Sequence, residues 1–212
     1  MHPLVLLISR KFDSQTLTSD RDLFPAQRHR KTIDTQLSKA EIPDTMAESY
    51  LVTGGEGFLG HRMVEMLKER YPSASVTSTD LTQRHEPTGH KFISCDLTDK
   101  SNTLAALRQS GASVVFHVAA GLISLPKEIL QKVNIEGTEN VIEACKTCGV
   151  QKLVYTCTSG VVFDGQDLRN VDERLPVVEQ EFHDPYMFTK VRSGVSVQRE
   201  VDLQHLRRTG YC

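Results

Sequence analysis

The segment Leu51–Gly60, with the sequence LVTGGEGFLG, decides how this chain folds. It begins with apolar and β-branched residues that favour a strand, and three glycines follow with the spacing G-x-x-G-x-x-G. Gly54 lets the backbone turn sharply away from the strand, and Gly60 allows a helix to pack closely against a sheet. The segment therefore predicts a strand, a tight turn and a helix that begins at the turn.

Short β-rich runs alternate with longer helical stretches along the rest of the chain. This pattern is typical of βαβ units, in which a helix connects each strand to a parallel neighbour. We therefore expect an α/β fold, a Rossmann-type doubly wound parallel sheet with flanking helices. The predicted strands are Ser49–Thr53, Ser75–Thr79, Lys91–Cys95, Ser113–Val118 and Lys152–Thr158, and the predicted helices are Gly57–Arg70, Lys100–Ser110, Lys127–Thr147 and Pro185–Leu206.

The glycine turn is typical of a site for the pyrophosphate of a dinucleotide. Gly57 lets the backbone approach the phosphates without a Cβ, and the helix that continues through Phe58 and Leu59 offers unpaired N–H groups. Asp80 follows the next predicted strand, where a carboxylate accepts hydrogen bonds from the adenosine ribose and repels a 2′-phosphate. These residues predict NAD as the cofactor, a preference that Arg84 weakens if it folds back. A tight βα turn that binds nothing is the alternative interpretation.

Two further strand ends add candidate contacts with the cofactor. Asp96 and Leu97 follow the third predicted strand, where the Asp96 carboxylate is placed to accept a hydrogen bond from the adenine amino group. Helix capping is the alternative role for this carboxylate. Ala119 and Ala120 end the fourth predicted strand, and their small side chains let a cofactor lie close to the backbone.

Tyr186 and Lys190 form a Y-x-x-x-K pair on the last predicted helix. The i, i+4 spacing places the phenol and the ammonium on one face of the helix. A free tyrosine has a pKa of about 10, and a nearby cation favours the phenolate, which then accepts a proton more readily. Hydroxyls in the run Thr156–Ser159, at the end of the fifth predicted strand, are placed to hold a substrate oxygen.

The composition excludes several classes of function. The formal charge of −2 leaves no global basic field that would attract nucleic acid, and no apolar run approaches the ~20 residues of a membrane span. Five cysteines at irregular spacings indicate a reducing compartment rather than a secreted disulfide framework. Cys145 and Cys148 form one C-x-x-C without a second pair of ligands, so no metal site is predicted.

Residues 1–46 differ from the regular pattern that follows. An apolar patch at Leu4–Ile8 precedes a polar stretch that has neither a helical nor a strand period, which predicts a disordered N-terminal extension. The folded domain is expected to comprise residues 47–212. Met46 lies directly before the first predicted strand, and a natural start at this methionine is a further hypothesis.

Several motifs, in the same order, resemble those of the extended short-chain dehydrogenase/reductases. They are Thr53–Gly60, Phe116–Ala120, Val133–Val141 and the pair Tyr186 and Lys190. Among these enzymes, Leu153–Asp167 is most similar to the 3β-hydroxysteroid dehydrogenase branch, particularly the fungal sterol-4α-carboxylate 3-dehydrogenases (decarboxylating). The resemblance covers residues 48 to 190.

The resemblance implies NAD-dependent oxidation of the 3β-hydroxyl of a steroid or sterol, with decarboxylation where a 4α-carboxylate is present. Tyr186 would take the hydroxyl proton, and Lys190 would bind the nicotinamide ribose. The family's hydroxyl residue falls on Thr158, with the adjacent Ser159 as the second candidate, and a cap of the strand end is the alternative role of both. Two other functions remain open, a nucleotide-sugar epimerase or dehydratase and a catalytically inactive NAD-binding fragment.

The resemblance ends after Lys190. Family members continue with further strands and a lobe that encloses the substrate, so we expect a C-terminally truncated chain that lacks this lobe. The sheet edge that the later strands would cover favours association into a homodimer. The resemblance also implies a cytoplasmic or endoplasmic reticulum-associated protein that is not secreted, with peripheral membrane contact.

Overall fold

Within residues 7–11, 48–158, 160 and 184–209, which are those the computed structural model describes, six strands form one sheet. The strands are β1 Leu7–Lys11, β2 Ser49–Thr53, β3 Ser75–Asp80, β4 Lys91–Ser94, β5 Val114–His117 and β6 Lys152–Thr156. The helices are α1 Phe58–Arg70, α2 Lys100–Ser110, α3 Lys127–Leu130, α4 Gly137–Cys148 and α5 Pro185–Thr209, with a π-helical segment at Gln131–Glu136 between α3 and α4.

The strand order of the sheet is β1-β6-β5-β2-β3-β4. Strands β2 to β6 are parallel, and the chain fills one side of the sheet with β3 and β4 before it crosses back to place β5 and β6 on the other side of β2. The predicted doubly wound sheet is therefore confirmed. The reversal of strand order between β2 and β5 opens a crevice at the carboxyl ends of these strands.

The first strand departs from the sequence-based expectation for residues 1–46. Leu7–Lys11 is not disordered but pairs antiparallel with β6, so that Leu7 lies opposite Thr156 and Lys11 opposite Lys152. The outer edge of β6 carries backbone N–H and C=O groups, and this strand hydrogen-bonds to them. Residues 12–47 lie outside the described residues, and a domain boundary at residue 46 remains a prediction.

Alternating side chains of β2 divide the hydrophobic core into two layers. Leu51 points to the layer formed by α2 and α4, where it packs with Val115 of β5. Tyr50 and Val52 point to the opposite layer, where they pack with Val64 of α1. The sheet is thus covered on both faces, which explains why residues 50 to 53 of β2 are all buried.

The stretch Lys127–Thr147 is predicted as one helix, but the structure divides the chain from Lys127 to Cys148 into α3, the π-helical segment and α4. The wider turns surround Asn134, whose side chain is buried and whose carbonyl oxygen accepts a hydrogen bond from the Thr138 hydroxyl. Such π-helical turns often occur at functional sites. No helix among the described residues is long and apolar enough to cross a lipid bilayer.

A chain that begins at Met46 is expected to self-associate more strongly than the 212-residue chain. It lacks β1, and the outer edge of β6 is then free to pair with another copy. Sedimentation velocity at matched concentrations measures this association. Deletion of residues 1–6, which leaves β1 in place, is the control, and equal association of the two truncated chains would contradict the role of β1 as an edge strand.

Candidate active site

A cavity of about 510 Å³ lies at the carboxyl ends of the central strands, where the strand order reverses. It brings together every predicted cofactor-binding residue and two of the four predicted catalytic residues. The predicted residues that line it are Gly54, Gly57, Phe58, Leu59, Gly60, Asp80, Asp96, Leu97, Ala119, Ala120, Tyr186 and Lys190.

The glycine turn lies directly against the end of β5. Gly54 has φ +69°, and a Cβ added to it would lie 2.7 Å from the Cα atom of Ala119. A side chain at Gly54 is therefore excluded both by the left-handed backbone and by the neighbouring strand. Gly57 precedes the first residue of α1 and has no side chain that could cap the amide groups of this helix. The turn therefore leaves room and N–H donors for a phosphate group.

Asp80 lies beside the glycine turn at the end of β3. Its Oδ1 atom accepts a hydrogen bond from the Leu81 amide at 2.8 Å, and its Oδ2 atom accepts one from the Glu56 amide at 3.2 Å. These two hydrogen bonds fix the orientation of the Asp80 carboxylate. Each of its oxygens has a second lone pair, so the carboxylate can still accept hydrogen bonds from a ligand. This arrangement fits the two hydroxyls of an adenosine ribose.

Asp96 lines the same cavity but forms a local turn. Its Oδ1 atom accepts hydrogen bonds from the backbone amide of Thr98 at 2.9 Å and from the Thr98 hydroxyl at 2.8 Å. The cap of α2 is a different residue, Asp99, which accepts from the amides of Ser101 and Asn102. The structure therefore gives the capping role to Asp99, and contact of Asp96 with an adenine remains a prediction.

A chain of buried hydrogen bonds connects β2, β5 and α4 behind the cavity. The Nδ1 atom of His117 lies 2.7 Å from the Thr53 hydroxyl, and its Nε2 atom lies 2.9 Å from the Thr138 hydroxyl. Because Thr138 donates to the carbonyl of Asn134 at 2.6 Å, it accepts from Nε2. His117 is therefore a neutral imidazole protonated on Nε2. Burial and the nearby charge of Lys190 lower the pKa of His117 to about 3.

The same chain continues to the helix that carries the predicted catalytic pair. The Asn134 side chain accepts a hydrogen bond from the Gly121 amide at 2.8 Å and donates one to the Thr189 hydroxyl at 2.9 Å. Thr189 in turn donates to the carbonyl oxygen of Tyr186 at 2.8 Å. The position of α5 is thus fixed relative to the end of β5 by buried polar contacts.

Lys190 is almost completely buried and contacts β6. Its Nζ atom donates a hydrogen bond to the carbonyl oxygen of Thr156 at 2.9 Å and lies 4.4 Å from the centroid of the Tyr155 ring. Burial disfavours the ammonium form and lowers the pKa of Lys190 to about 8. The carbonyl and the ring face together offset part of the cost of this charge.

The pKa of Tyr186 differs from the sequence-based expectation of a lowered value. Burial raises the pKa of this phenol, and the neighbouring Cys157 and Asp184 raise it further. The ammonium of Lys190 donates to Thr156 and, with its own burial, does not offset these effects. The phenol is therefore neutral in this structure near neutral pH.

The hydroxyl residues at the end of β6 also differ from expectation. The strand ends at Thr156, two residues earlier than predicted, so the strand alternation does not extend to Thr158. Among the described residues, those that line the cavity include Thr156 and Cys157 but not Thr158, whose hydroxyl accepts a hydrogen bond from Gly160 at 3.3 Å. Ser159 lies outside the described residues.

Sequence reasoning did not assign roles to Glu56, Asn134 and Cys157. Glu56 is a carboxylate inside the glycine spacing, where the motif requires no charge, and this was a signal that could have been used. Asn134 lies within a motif that supports the family resemblance, but its inward orientation depends on the π-helical turns. In residues 7–11, 48–158, 160 and 184–209, no group of three or more His, Cys, Asp or Glu residues could hold a metal ion.

Residues 51–200 match the sequence profile of the 3-beta hydroxysteroid dehydrogenase/isomerase family. The chain belongs to this family. The match extends ten residues beyond Lys190, so the family signal reaches further into α5 than the sequence motifs indicated.

Individual relatives agree with this assignment. The chain is 34% identical over 169 residues to the decarboxylating sterol-4-alpha-carboxylate 3-dehydrogenase of Candida albicans. The aligned region covers 76% of this chain and 48% of that enzyme. The chain is 38% identical over 168 residues to the human enzyme of the same name. That alignment covers 77% of this chain and 44% of the human enzyme. The chain thus spans less than half the length of each.

A solved structure supports the fold. The UDP-glucose 4-epimerase of Thermus thermophilus, crystallised as a complex with NAD, superposes with a TM-score of 0.60 at 29% identity. The superposition covers 70% of this chain and 49% of the epimerase chain. The doubly wound sheet of this chain therefore has the same architecture as that of an enzyme crystallised with NAD.

The substitution Gly54→Ala is expected to destabilise the protein by about 3 kcal/mol or more, because the new methyl group clashes with Ala119 in addition to the left-handed backbone strain. Gly111→Ala is the matched control. Gly111 has φ +60°, and among the described residues nothing lies within 4 Å of its added Cβ, so only the strain of about 1–2 kcal/mol is expected. Urea unfolding of both variants measures the difference, and equal losses would show that Ala119 moves freely.

The buried ammonium of Lys190 predicts a pH dependence of stability. Because its pKa falls from 10.5 when unfolded to about 8 when folded, the unfolded chain binds more protons between these values. The free energy of unfolding is therefore expected to rise on the order of 2 kcal/mol between pH 8 and pH 10.5 relative to that of Lys190→Met. Urea unfolding of both proteins across this range tests the effect, and parallel pH profiles would contradict it.

Proposed function

We propose that this chain binds NAD and provides the cofactor-binding and proton-transferring part of an enzyme that oxidises the 3β-hydroxyl of a sterol or steroid. The observation that carries the proposal is that a single cavity is lined both by the glycine turn with Asp80 and by the Tyr186 and Lys190 pair. Hydride removal from an alcohol requires a dinucleotide and a proton acceptor at the same place. We infer a sterol as the substrate from the names of the relatives, which are sterol-4-alpha-carboxylate 3-dehydrogenases.

The residues present fit NAD. The glycine turn and the amide groups at the start of α1 would hold the pyrophosphate, and Asp80 would accept the ribose hydroxyls. Asp80 also disfavours the 2′-phosphate of NADP, since both groups are anionic. Ala119, which lies against Gly54, leaves space for the cofactor over the end of β5.

Tyr186 and Lys190 would perform the proton transfer. Bound NAD would supply the hydride acceptor for carbon 3 of the sterol. Tyr186 would accept the proton of the 3β-hydroxyl in its phenolate form as the carbonyl forms, and the positive charge of Lys190 would favour that phenolate over the neutral phenol of the empty site. The carbonyl of Thr156 holds the Lys190 ammonium at the end of β6, and Thr189 holds the backbone of α5.

The cavity walls favour an apolar substrate over a sugar nucleotide. Leu122, Leu125 and Val133 line it, and Leu122 is 72% exposed at its rim. Apolar side chains of this kind suit the rings of a steroid. If the substrate carries a 4α-carboxylate, oxidation at carbon 3 produces a β-keto acid, which loses carbon dioxide and leaves a ketone.

Thermal unfolding of the 212-residue chain with saturating NAD tests the cofactor assignment. A ligand at one hundred times its dissociation constant stabilises the folded state by about 2.7 kcal/mol, and we expect this with NAD but much less with NADP. NADH formation with 3β-hydroxysterols, with and without a 4α-carboxylate, then tests the reaction. Binding of NAD without turnover would favour the inactive fragment, and stabilisation by UDP-sugars would favour the epimerase.

Tyr186→Phe is expected to reduce kcat at least a thousandfold while the dissociation constant of NAD stays within about threefold, because the phenol oxygen takes the proton and is not needed to bind the dinucleotide. Tyr71→Phe, a tyrosine that stacks on Tyr50 away from the cavity, is the matched control and should retain full activity. Retained turnover in Tyr186→Phe would remove this residue from the mechanism.

A further inference from the structure

Glu56 is a buried carboxylate within the glycine turn. Only 3% of its surface is exposed, although it lies between two glycines at the start of a surface helix. A pyrophosphate carries negative charge, so the turn by itself gives no reason to place a carboxylate here. Burial of a carboxylate costs free energy unless hydrogen bonds replace its lost hydration.

The Glu56 side chain holds the segment that follows Asp80. Its Oε2 atom accepts hydrogen bonds from the backbone amides of Arg84 at 2.7 Å and His85 at 2.8 Å. Hydrogen bonds to a charged acceptor are about twice as strong as neutral ones. The exposed segment from Leu81 to His85 is thus fixed to the glycine turn by one side chain.

Glu56 and Asp80 form a reciprocal connection. The amide of Glu56 donates to Oδ2 of Asp80, while the carboxylate of Glu56 accepts from residues four and five positions after Asp80. Both ends of this segment are therefore tied to the same turn. Arg84 is one of the residues that line the cavity. Because Glu56 binds the backbone amide of Arg84, it fixes the position of this residue in the cavity wall.

The second oxygen of Glu56 takes no part in the hydrogen bonds to Arg84 and His85. Its Oε1 atom is buried and has no hydrogen-bond partner among the described residues. His90 lies close enough to interact electrostatically with Glu56 and His61, and the His61 ring stacks on that of His85 with centroids 3.9 Å apart.

We propose that Glu56 is a positioning residue that sets the choice between NAD and NADP, an inference that rests on the proposed function. By holding the amides of Arg84 and His85, it keeps Asp80 oriented toward the ribose hydroxyls and keeps Arg84 from folding back onto a 2′-phosphate. The discrimination against NADP then depends on both carboxylates, with Asp80 in contact with the ribose and Glu56 acting through the segment.

Amide hydrogen exchange, measured by NMR without cofactor, tests the contact itself. In Glu56→Ala, the amides of Arg84 and His85 should exchange at least tenfold faster. Glu56→Gln keeps a carbonyl oxygen and should retain most of the protection. Glu86→Ala removes an exposed carboxylate directly after this segment and is the matched control. Unchanged exchange in Glu56→Ala would overturn the proposal whether or not the chain binds NAD.

Calorimetric titration with NAD and NADP tests the selectivity. We expect the ratio of the NADP to the NAD dissociation constant to fall at least tenfold in Glu56→Ala and to stay within threefold in Glu56→Gln and Glu86→Ala. Removal of Arg84 in addition, in Glu56→Ala/Arg84→Ala, should restore most of the ratio. If Glu56→Ala does not fold, Glu56→Asp withdraws the oxygens by one methylene and should shift the ratio in the same direction.

Different results would overturn the role of Glu56 and the proposed function. A purely structural role of Glu56 would weaken both cofactors by the same factor and leave the ratio unchanged, which overturns this proposal. NADP binding that persists in the double variant would also overturn it, because Arg84 would then not be the released group. Absence of NAD binding to the unsubstituted chain would instead overturn the proposed function, and with it the selectivity assigned to Glu56.

Discussion

The contact between Gly54 and Ala119 is the constraint on which the rest of the site depends. At this point the ends of β2 and β5 come so close that no side chain fits on Gly54. The Thr53 hydroxyl fixes the approach, because it accepts from the amides of Val118 and Ala119 at 3.2 and 3.3 Å and donates to His117. The crevice opens where these strands diverge, and the glycine turn and the end of β5 form its walls.

The buried polar chain behind this contact transmits the geometry to α5. Because His117 must be neutral to accept from Thr53 and donate to Thr138, its low pKa is part of the arrangement and not a by-product. A protonated His117 would place a second cation near Lys190 in a buried region, which both desolvation and repulsion disfavour. The network therefore orders the cofactor end and the proton-transfer end of the cavity at the same time, since Asn134 connects it to Thr189.

Membership of the 3-beta hydroxysteroid dehydrogenase/isomerase family places these features in context. The chain spans less than half the length of the sterol dehydrogenases it matches, and the part that it spans contains the glycine turn, Asp80, Tyr186 and Lys190. The cavity joins these groups, while β1 pairs with the outer edge of β6. Glu56 adds a carboxylate that connects the turn to the segment after Asp80.

The sequence by itself determined the βαβ order, the glycine turn and the i, i+4 pair, because each depends on spacing within one or two elements. The predicted strands Ser49–Thr53 and Lys152–Thr158 differ from the observed ones only at the end of the latter. Only the tertiary structure decided the pairing of β1 with β6, the presence of Thr156 and Cys157 in the cavity wall and the raised pKa of Tyr186. Edge pairing, the side on which a loop residue lies and the burial of a phenol all depend on neighbours distant in sequence, and local periodicity carries no information about them.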